Sequence, residues 1–172
     1  ETTNSLVSRA TGEYIACLPA DDVWAPEKLA KQVAYLDANP ACGIVFAHPT
    51  FIDDNDAQIV PAEGTPEALI QGIGNMERAF WQKRLLICNC LFIATSLYRR
   101  AVHEEIGYFD ESLHMLADLD FYIRIAKAHD LHVIQERLAS VRLRADRSNL
   151  SHPSPVNSER HADEIALLRA KH

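Results

Sequence analysis

The sequence predicts an α/β protein, and three observations lead to this fold class. First, an apolar run at residues 14–18 ends in an acidic turn, after which Pro26 opens a segment with apolar residues at helical spacing. Second, short apolar runs and helical patterns follow one another along the rest of the chain. Third, 172 residues with 48% hydrophobic and 24% charged side chains suffice for one ordinary domain with a buried core.

The first part of the chain opens without an element of its own. Residues 1–11 are polar and show neither a cap nor a strand, so the chain looks as if it begins within a domain. The strand expected at 14–18 is apolar throughout, and such strands usually have parallel neighbours on both sides. A helix is expected from 26 to 39 because Pro26 suits a first turn and Asn39-Pro40 suits an end.

The remaining elements are predicted from local composition. Apolar or β-branched runs predict strands at 43–47, 50–52, 58–60, within 85–98, at 132–134 and at 138–143. Helical spacing predicts helices at 76–84, 99–106, 117–129 and 159–171. Residues 61–74 are expected to form a loop with one short helix. The final helix is amphipathic and is expected to pack on this domain or on a partner.

Charge and cysteine usage restrict the function. Seventeen basic and 24 acidic residues give a net charge of −7, which disfavours nucleic-acid binding and means that an anionic substrate needs local compensation. The four cysteines lie inside apolar runs, so we expect reduced core residues of a cytoplasmic protein. No apolar stretch approaches the length of a membrane span. These cysteines are Cys17, Cys42, Cys88 and Cys90.

Two acidic turns are candidates for cation binding. Asp21 and Asp22 follow the first predicted strand, and ligands of open α/β sheets bind at the carboxyl ends of strands. Neighbouring carboxylates suit a hard divalent cation with a phosphate-bearing substrate, although an Asp pair before a helix is often a turn and cap. The second turn, Asp53-Asp54-Asn55-Asp56, lacks the Gly and distal Glu of an EF-hand, which favours a solvated hairpin turn.

Two ordered blocks of sequence carry a resemblance to a known family. The first block is Gly12-Glu13-Tyr14-Ile15, Ala20-Asp21-Asp22-Val23-Trp24 and Pro26-Glu27-Lys28-Leu29. The second is Tyr98-Arg99-Arg100-Ala101-Val102, Ile106-Gly107-Tyr108-Phe109-Asp110-Glu111 and Ala117-Asp118-Leu119-Asp120-Phe121-Tyr122-Ile123-Arg124. Together they resemble the inverting family 2 glycosyltransferases. The resemblance implies a three-layer α/β/α GT-A fold that is incomplete at the N-terminus, with a partial domain at 1–152 and a linker and amphipathic helix at 153–172. We therefore expect little activity from the isolated chain.

The resemblance also implies a set of partners. The donor is a nucleotide-diphosphate sugar, and Mg²⁺ or Mn²⁺ bridges its diphosphate. The acceptor is a saccharide or a lipid-linked hydroxyl, commonly in cell-envelope polysaccharide synthesis, with a location in the cytoplasm or at the inner membrane face. No nucleic-acid partner and no transmembrane segment are expected. Self-association through an exposed sheet edge or the final helix is a further expectation, because an unpaired edge favours strand addition.

Roles for single residues come from the same resemblance. Asp22 is the first choice as a metal ligand, with Asp21 beside it contacting metal or ribose. The sequence departs from many members at Pro19, where they carry a further Asp. Trp24 flanks the sugar or only packs against the fold. Arg144, at a place where many members bring a His, either clamps phosphate or is a solvated side chain.

The second block contains two carboxylates, Asp118 and Asp120, that are candidates for the site. The resemblance puts the catalytic base on Asp118, whose alternative is a helix-start residue favoured by the dipole. Asp120 is a substrate-binding candidate, but it lies about 200° around a helix from Asp118 and has Arg124 as an i+4 partner. Many members have Glu where this chain has Ala117.

Two other functions compete with sugar transfer. A metal-dependent nucleotidyltransferase would share the sheet and the carboxylates, but it would need a Gly-rich phosphate loop near its start. A binding or assembly module without activity is suggested by the departures at Pro19, Ala117 and Arg144.

Overall fold

The computed structural model describes residues 2–74, 76–145 and 155–172, with side chains from residue 158 onward in the last range. Its strands are β1 (Tyr14–Ile15), β2 (Val23–Trp24), β3 (Cys42–Ile52), β4 (Gln58–Ile59), β5 (Leu97–Arg99) and β6 (Asp130–Arg142). Its helices are α1 (Thr3–Arg9), α2 (Lys28–Ala38), α3 (Pro66–Gln71), α4 (Arg78–Arg84), α5 (Val102–Ile106), α6 (Ala117–Ala128) and α7 (Pro155–Lys171), with a 3-10 helix at Ile93–Thr95.

One mixed sheet organises the molecule. Its strand order is β1-β5-β3-β6-β2, and β4 pairs with β3 outside this path. The two long strands β3 and β6 are parallel, whereas every other pairing is antiparallel. Strand β3 is buried along nearly its whole length, as expected for a strand covered on both faces.

Helices cover both faces of the sheet and give three layers. On one face, Leu36 of α2 packs with Val45 and Leu97 in a small apolar cluster. On the other face lies the main core, where Tyr122 of α6 meets Phe46 of β3 edge to face at 5.0 Å between ring centroids. The expected α/β/α layering is therefore present.

Helix α2 is fixed to the sheet by two buried polar side chains. The amide of Gln32 donates to the carbonyls of Val45, at 3.2 Å, and Thr95, at 2.8 Å. Lys28 is fully buried, its ammonium donates to the Ser96 carbonyl at 2.9 Å, and burial lowers its pKa to about 8. These contacts tie the start of α2 to the segment that includes the 3-10 helix.

Three sequence predictions about the N-terminal part of the chain are wrong. Residues 3–9 form helix α1, because the Thr2 hydroxyl accepts the Ser5 N–H as an N-cap. The first strand is only Tyr14–Ile15 and pairs antiparallel with β5, since the chain turns toward the acidic loop earlier than its apolar run suggests. The strands predicted at 43–47 and 50–52 are one strand, β3, because Pro49 is accommodated by register shifts beside it.

The C-terminal half differs in the same way. The strands predicted at 132–134 and 138–143 are joined into β6, because the parallel pairing with β3 resumes at Arg137 after a register shift that passes over Gln135 and Glu136. The turn at 53–56 is confirmed: the Asp53 carboxylate accepts the N–H groups of Asn55 and Ala57, and Asp56 is left-handed with φ 64°. All four cysteines are free.

Helix α7 packs on the main core. Leu168 is buried there, and Ile165 packs partly against the same cluster. Residues 153–154 of the predicted linker lie outside the described residues, and the helix predicted at 159–171 already begins at Pro155. Within the part of the chain that the structure describes, no helix combines the length and apolar character needed to cross a bilayer.

Candidate active site

The acidic turn between β1 and β2 contacts the end of β6. Oδ1 of Asp22 accepts the backbone N–H of Arg142 at 2.9 Å, and the backbone carbonyl of Asp21 accepts Nε of Arg142 at 3.0 Å. The Arg142 guanidinium also bonds to the carbonyl of Asp53 and to the carboxylate of Asp56. Arg142 therefore contacts both acidic turns, which the sequence analysis predicts as two separate features.

Burial changes the electrostatics of Asp22. The side chain is half-buried, and loss of solvent raises its pKa above the usual value. The neighbouring Asp21 carboxylate raises this pKa further, while the N–H and the charge of Arg142 oppose the change. A cation placed at this turn would therefore relieve a penalty that the fold imposes on ionised Asp22.

Arg144 lies beside the same turn. Its Nε is 3.3 Å from Oδ2 of Asp21, and its NH1 nitrogen is 4.0 Å from Oδ1 of Asp54. The backbone N–H of Ala145 donates to the other oxygen of Asp54 at 3.0 Å. Of the two alternatives for Arg144, the structure thus favours a place at the acidic turn over a purely solvated side chain.

Trp24 is held by packing contacts. Its indole N–H donates to the Ala94 carbonyl at 2.7 Å, and the Lys28 ammonium lies 4.3 Å from the centroid of its ring. These contacts fit the packing alternative, and a contact between Trp24 and the sugar stays a prediction.

Asp118 lies in the first turn of α6 and lines a cavity of about 360 Å³. Burial raises its pKa to about 6. Two hydrogen bonds work in the opposite direction: Oδ1 accepts the N–H of Leu119 at 2.7 Å and Oδ2 accepts the Asn89 amide at 3.3 Å. The cavity is lined, among others, by Asn4, Ile93, Phe109, Glu111 and Met115.

Asp120 occupies the opposite side of the same helix. It is fully buried, and its carboxylate accepts from Arg124 Nε at 2.8 Å, Lys171 Nζ at 2.8 Å and His172 Nε2 at 2.9 Å. Burial alone would raise its pKa, but these three donors hold it below the usual value. Asp120 does not line the cavity of Asp118, and its predicted contact with substrate stays a prediction that its burial disfavours.

The predicted site residues therefore fall into three neighbourhoods. Asp21, Asp22 and Arg144 lie together, Asp118 lines its own cavity, and Asp120 belongs to an internal ion cluster. The 3-10 helix lies between the first two neighbourhoods. The carbonyl of Ala94 accepts the indole N–H of Trp24, which follows the acidic turn, and Ile93 lines the cavity of Asp118.

The acidic turn offers two carboxylates, Asp21 and Asp22, to a metal ion. Within residues 2–74, 76–145 and 155–172, no three His, Cys, Asp or Glu side chains group into a metal site. Two carboxylates are nevertheless a sufficient protein contribution for Mg²⁺, which completes its shell with substrate phosphates and water. The pair Asp21 and Asp22 fits that requirement.

Sequence reasoning missed three residues at these sites. Arg142 could have been found, because strand alternation puts it on the same side as Arg144. No sequence pattern indicates Asn89 or Glu164 as a site residue. Asn89 lies between two cysteines in an apolar run, and Glu164, which contacts the start of α6, is 46 positions beyond Asp118 in the chain.

Comparison with known proteins identifies the family. The family model described as Glycosyl transferase family 2 matches residues 3–107. The chain belongs to this family. An uncharacterized glycosyltransferase of Methanocaldococcus jannaschii is 29% identical over 141 residues, covering 81% of this chain and 45% of that protein. The uncharacterized glycosyltransferase YwdF of Bacillus subtilis is 33% identical over 144 residues, covering 80% of this chain and 47% of that protein. The chain thus spans less than half the length of these two relatives.

Solved structures confirm the fold. S. aureus TarS superposes with a TM-score of 0.62 at 17% identity, covering 95% of this chain and 26% of that chain. TarS 1-349 in complex with UDP-GlcNAc superposes with a TM-score of 0.61 at 18% identity, covering 96% of this chain and 45% of that chain. The predicted α/β class and GT-A fold are therefore confirmed.

Proposed function

We propose that this protein is an inverting glycosyltransferase that moves a sugar from a nucleotide-diphosphate sugar to an acceptor hydroxyl. The observation that carries the proposal is Asp118, a carboxylate at a cavity with a pKa raised to about 6, in a chain of glycosyl transferase family 2. Inversion needs a base that takes the hydroxyl proton as the oxygen attacks the anomeric carbon.

Asp118 suits this role because its pKa is raised but still lies below neutral pH. A carboxyl with a pKa of about 6 is mostly ionised at neutral pH and is a stronger base than an ordinary Asp. The bonds from Asn89 and Leu119 fix the carboxylate and occupy one lone pair on each oxygen, so that each oxygen keeps a further lone pair for a hydroxyl in the cavity.

The acidic turn is proposed to hold the diphosphate through a cation. Asp22 and Asp21 would bind Mg²⁺ or Mn²⁺, which would stabilise the charge that develops on the leaving nucleoside diphosphate. Arg144, beside Asp21, would pair with phosphate oxygens. Burial raises the pKa of Asp22, and a bound cation would oppose that shift because it favours the ionised carboxylate.

The substrate class is supported by the structural neighbours. TarS 1-349 has been solved in complex with UDP and with UDP-GlcNAc, which supports a nucleotide-sugar donor for this chain as well. We propose a saccharide or lipid-linked acceptor, in cell-envelope polysaccharide or glycoconjugate synthesis.

Calorimetric titration of the full-length protein tests the donor and the metal together. We expect one of UDP, GDP and dTDP to bind in the presence of Mn²⁺, and Asp22→Asn to weaken that binding by at least about tenfold. Asp163→Asn, an exposed carboxylate on α7, is the matched control and should bind like the wild type. Failure of all three nucleotides to bind with Mn²⁺ would argue against the proposal.

A binding module without metal is the second candidate, because Arg144 already neutralises Asp21. In that case an arginine clamp would hold the diphosphate. Nucleotide binding that is unchanged by EDTA and by Asp22→Asn, but lost in Arg144→Ala, would establish this alternative.

A further inference from the structure

Glu164 of α7 is a buried carboxylate with an unusual set of partners. It is 4% exposed, and all three hydrogen bonds that the structure gives it come from backbone N–H groups. Oε1 accepts from His114 at 2.9 Å, while Oε2 accepts from Met115 at 3.0 Å and Leu116 at 2.9 Å. Three consecutive N–H groups that converge on one anion form a backbone nest.

The position of this nest gives it a consequence for the site. Leu116 is the N-cap residue of α6 and provides no side-chain cap of its own. Glu164 therefore replaces the missing local cap from a distant helix and places a negative charge at the positive end of α6. Asp118 follows Leu116 by two residues, so the backbone that presents the proposed base is held by Glu164.

A second contact fixes the register of α7 against α6. Lys171 and His172 bind Asp120, and Leu168 is buried between these two polar contacts. The contacts flank Asp118 on both sides in sequence, at residues 114–116 and at Asp120. Helix α7 thus holds the first turn of α6 at two points.

We propose that Glu164 is a positioning residue for the proposed base, acting through the backbone of residues 114–116. This inference rests on the proposed function, because it takes Asp118 as the proton acceptor. Two of the anchored residues, His114 and Met115, also line the cavity, so a shift of this segment changes the cavity wall together with the direction of the carboxylate.

Glu164→Gln is the variant that tests the inference, because it keeps the side-chain volume but turns one of the two acceptor oxygens into a donor. In the full-length protein, we expect kcat for UDP release from UDP-GlcNAc to fall about 10- to 100-fold, with KM for the donor changed less than about threefold. Hydrogen exchange should become faster at residues 114–120 and stay unchanged in the β3 and β6 strands.

Two control variants separate positioning from loss of structure. Glu159→Gln changes an exposed glutamate of the same helix and should leave both readouts unchanged. Leu168→Ala loosens the packing of α7 without touching the nest, so it should lower thermal stability while the exchange at 114–120 changes less than in Glu164→Gln.

The outcomes distinguish this inference from the function on which it rests. If Asp118→Asn keeps wild-type activity, the proposed base is wrong, and Glu164 then has no reaction to position. If Asp118→Asn is inactive but Glu164→Gln behaves like Glu159→Gln in rate and exchange, only the positioning inference is overturned. Equal losses in Glu164→Gln and Leu168→Ala would also overturn it, because they would indicate a purely structural helix.

Discussion

Asp118 and Asp120 are two residues apart in one helical turn, yet their surroundings are opposite. Asp118 lines a cavity and has a pKa raised to about 6 by burial. Asp120 is more deeply buried, but three cationic or polar donors hold its pKa below the usual value. Burial by itself therefore does not decide whether a carboxylate here is ready to accept a proton.

The difference lies in what compensates the charge. Arg124, Lys171 and His172 surround Asp120, so its ionised form is favoured and it joins α6 to the end of α7. The partners of Asp118 are one backbone N–H and one neutral amide. The rotation of about 200° between the two positions separates a proposed base from a structural ion cluster.

The largest expected effect comes from Asp118→Asn. Removal of a general base should lower kcat for sugar transfer by about 10²- to 10⁴-fold. The free energy of unfolding at neutral pH should be unchanged or higher, because the variant removes an ionised group that burial disfavours. Steady-state kinetics and thermal melts of the same preparation check both expectations. A large loss of stability would indicate that Asp118 has a structural role like that of Asp120.

Asp120→Asn is expected to show the converse pattern. The variant removes the buried charge that Arg124 and Lys171 share, although Lys171 keeps its ion pair with Asp110 at 3.0 Å. This loss should lower the free energy of unfolding by about 3 kcal/mol. Because the folded pKa of Asp120 is depressed, its stabilisation is present above the ordinary Asp pKa and is lost as pH falls through the folded value. Urea titrations from neutral to acidic pH should show this acid dependence in the wild type and a weaker one in the variant.

A smaller effect is expected in the pH dependence of the wild-type rate. The base must be ionised, so kcat/KM, which reports the pKa of the free protein, should fall below about pH 6 by about tenfold for each further pH unit. Asp120→Asn should keep this acid limb wherever the variant remains folded. An acid limb that lies near the pKa of an ordinary Asp would contradict the assignment to Asp118.

The smallest expected effect concerns Asn89. Its amide stabilises ionised Asp118 and lowers its pKa, so Asn89→Ala should move the acid limb to higher pH by a fraction of a unit. The rate well above pH 7 should change only a few-fold. A limb that moves to lower pH would show that Asn89 does not act on this carboxylate as described.

The sequence predicts part of this arrangement for clear physical reasons. Helical periodicity over α6 separates Asp118 from Asp120, and Arg124 as an i+4 partner is a local signal that the structure confirms. The α/β class and the GT-A fold are likewise accessible from the sequence, because they follow from local patterns and from two blocks of family-like sequence.

What remained hidden depends on contacts between distant parts of the chain. Lys171 and His172 bind Asp120 from the C-terminal end of α7, and no local sequence pattern predicts such a pairing. The sequence predicts two strands in place of β3 because Pro49 interrupts the β pattern. In the structure the parallel pairing with β6 continues past Pro49 through register shifts. The link between the acidic turns through Arg142 has the same long-range character.

We claim that one turn of α6 carries a proton-accepting carboxylate and a structural carboxylate that is ionised at neutral pH. Titration of both carboxyl groups by ¹³C NMR, with resonances assigned from Asp118→Asn and Asp120→Asn, checks this claim in one experiment. We predict that Asp118 titrates near pH 6 and that Asp120 titrates below the ordinary Asp value of 3.8. Titration of Asp118 at or below that ordinary value would contradict the claim.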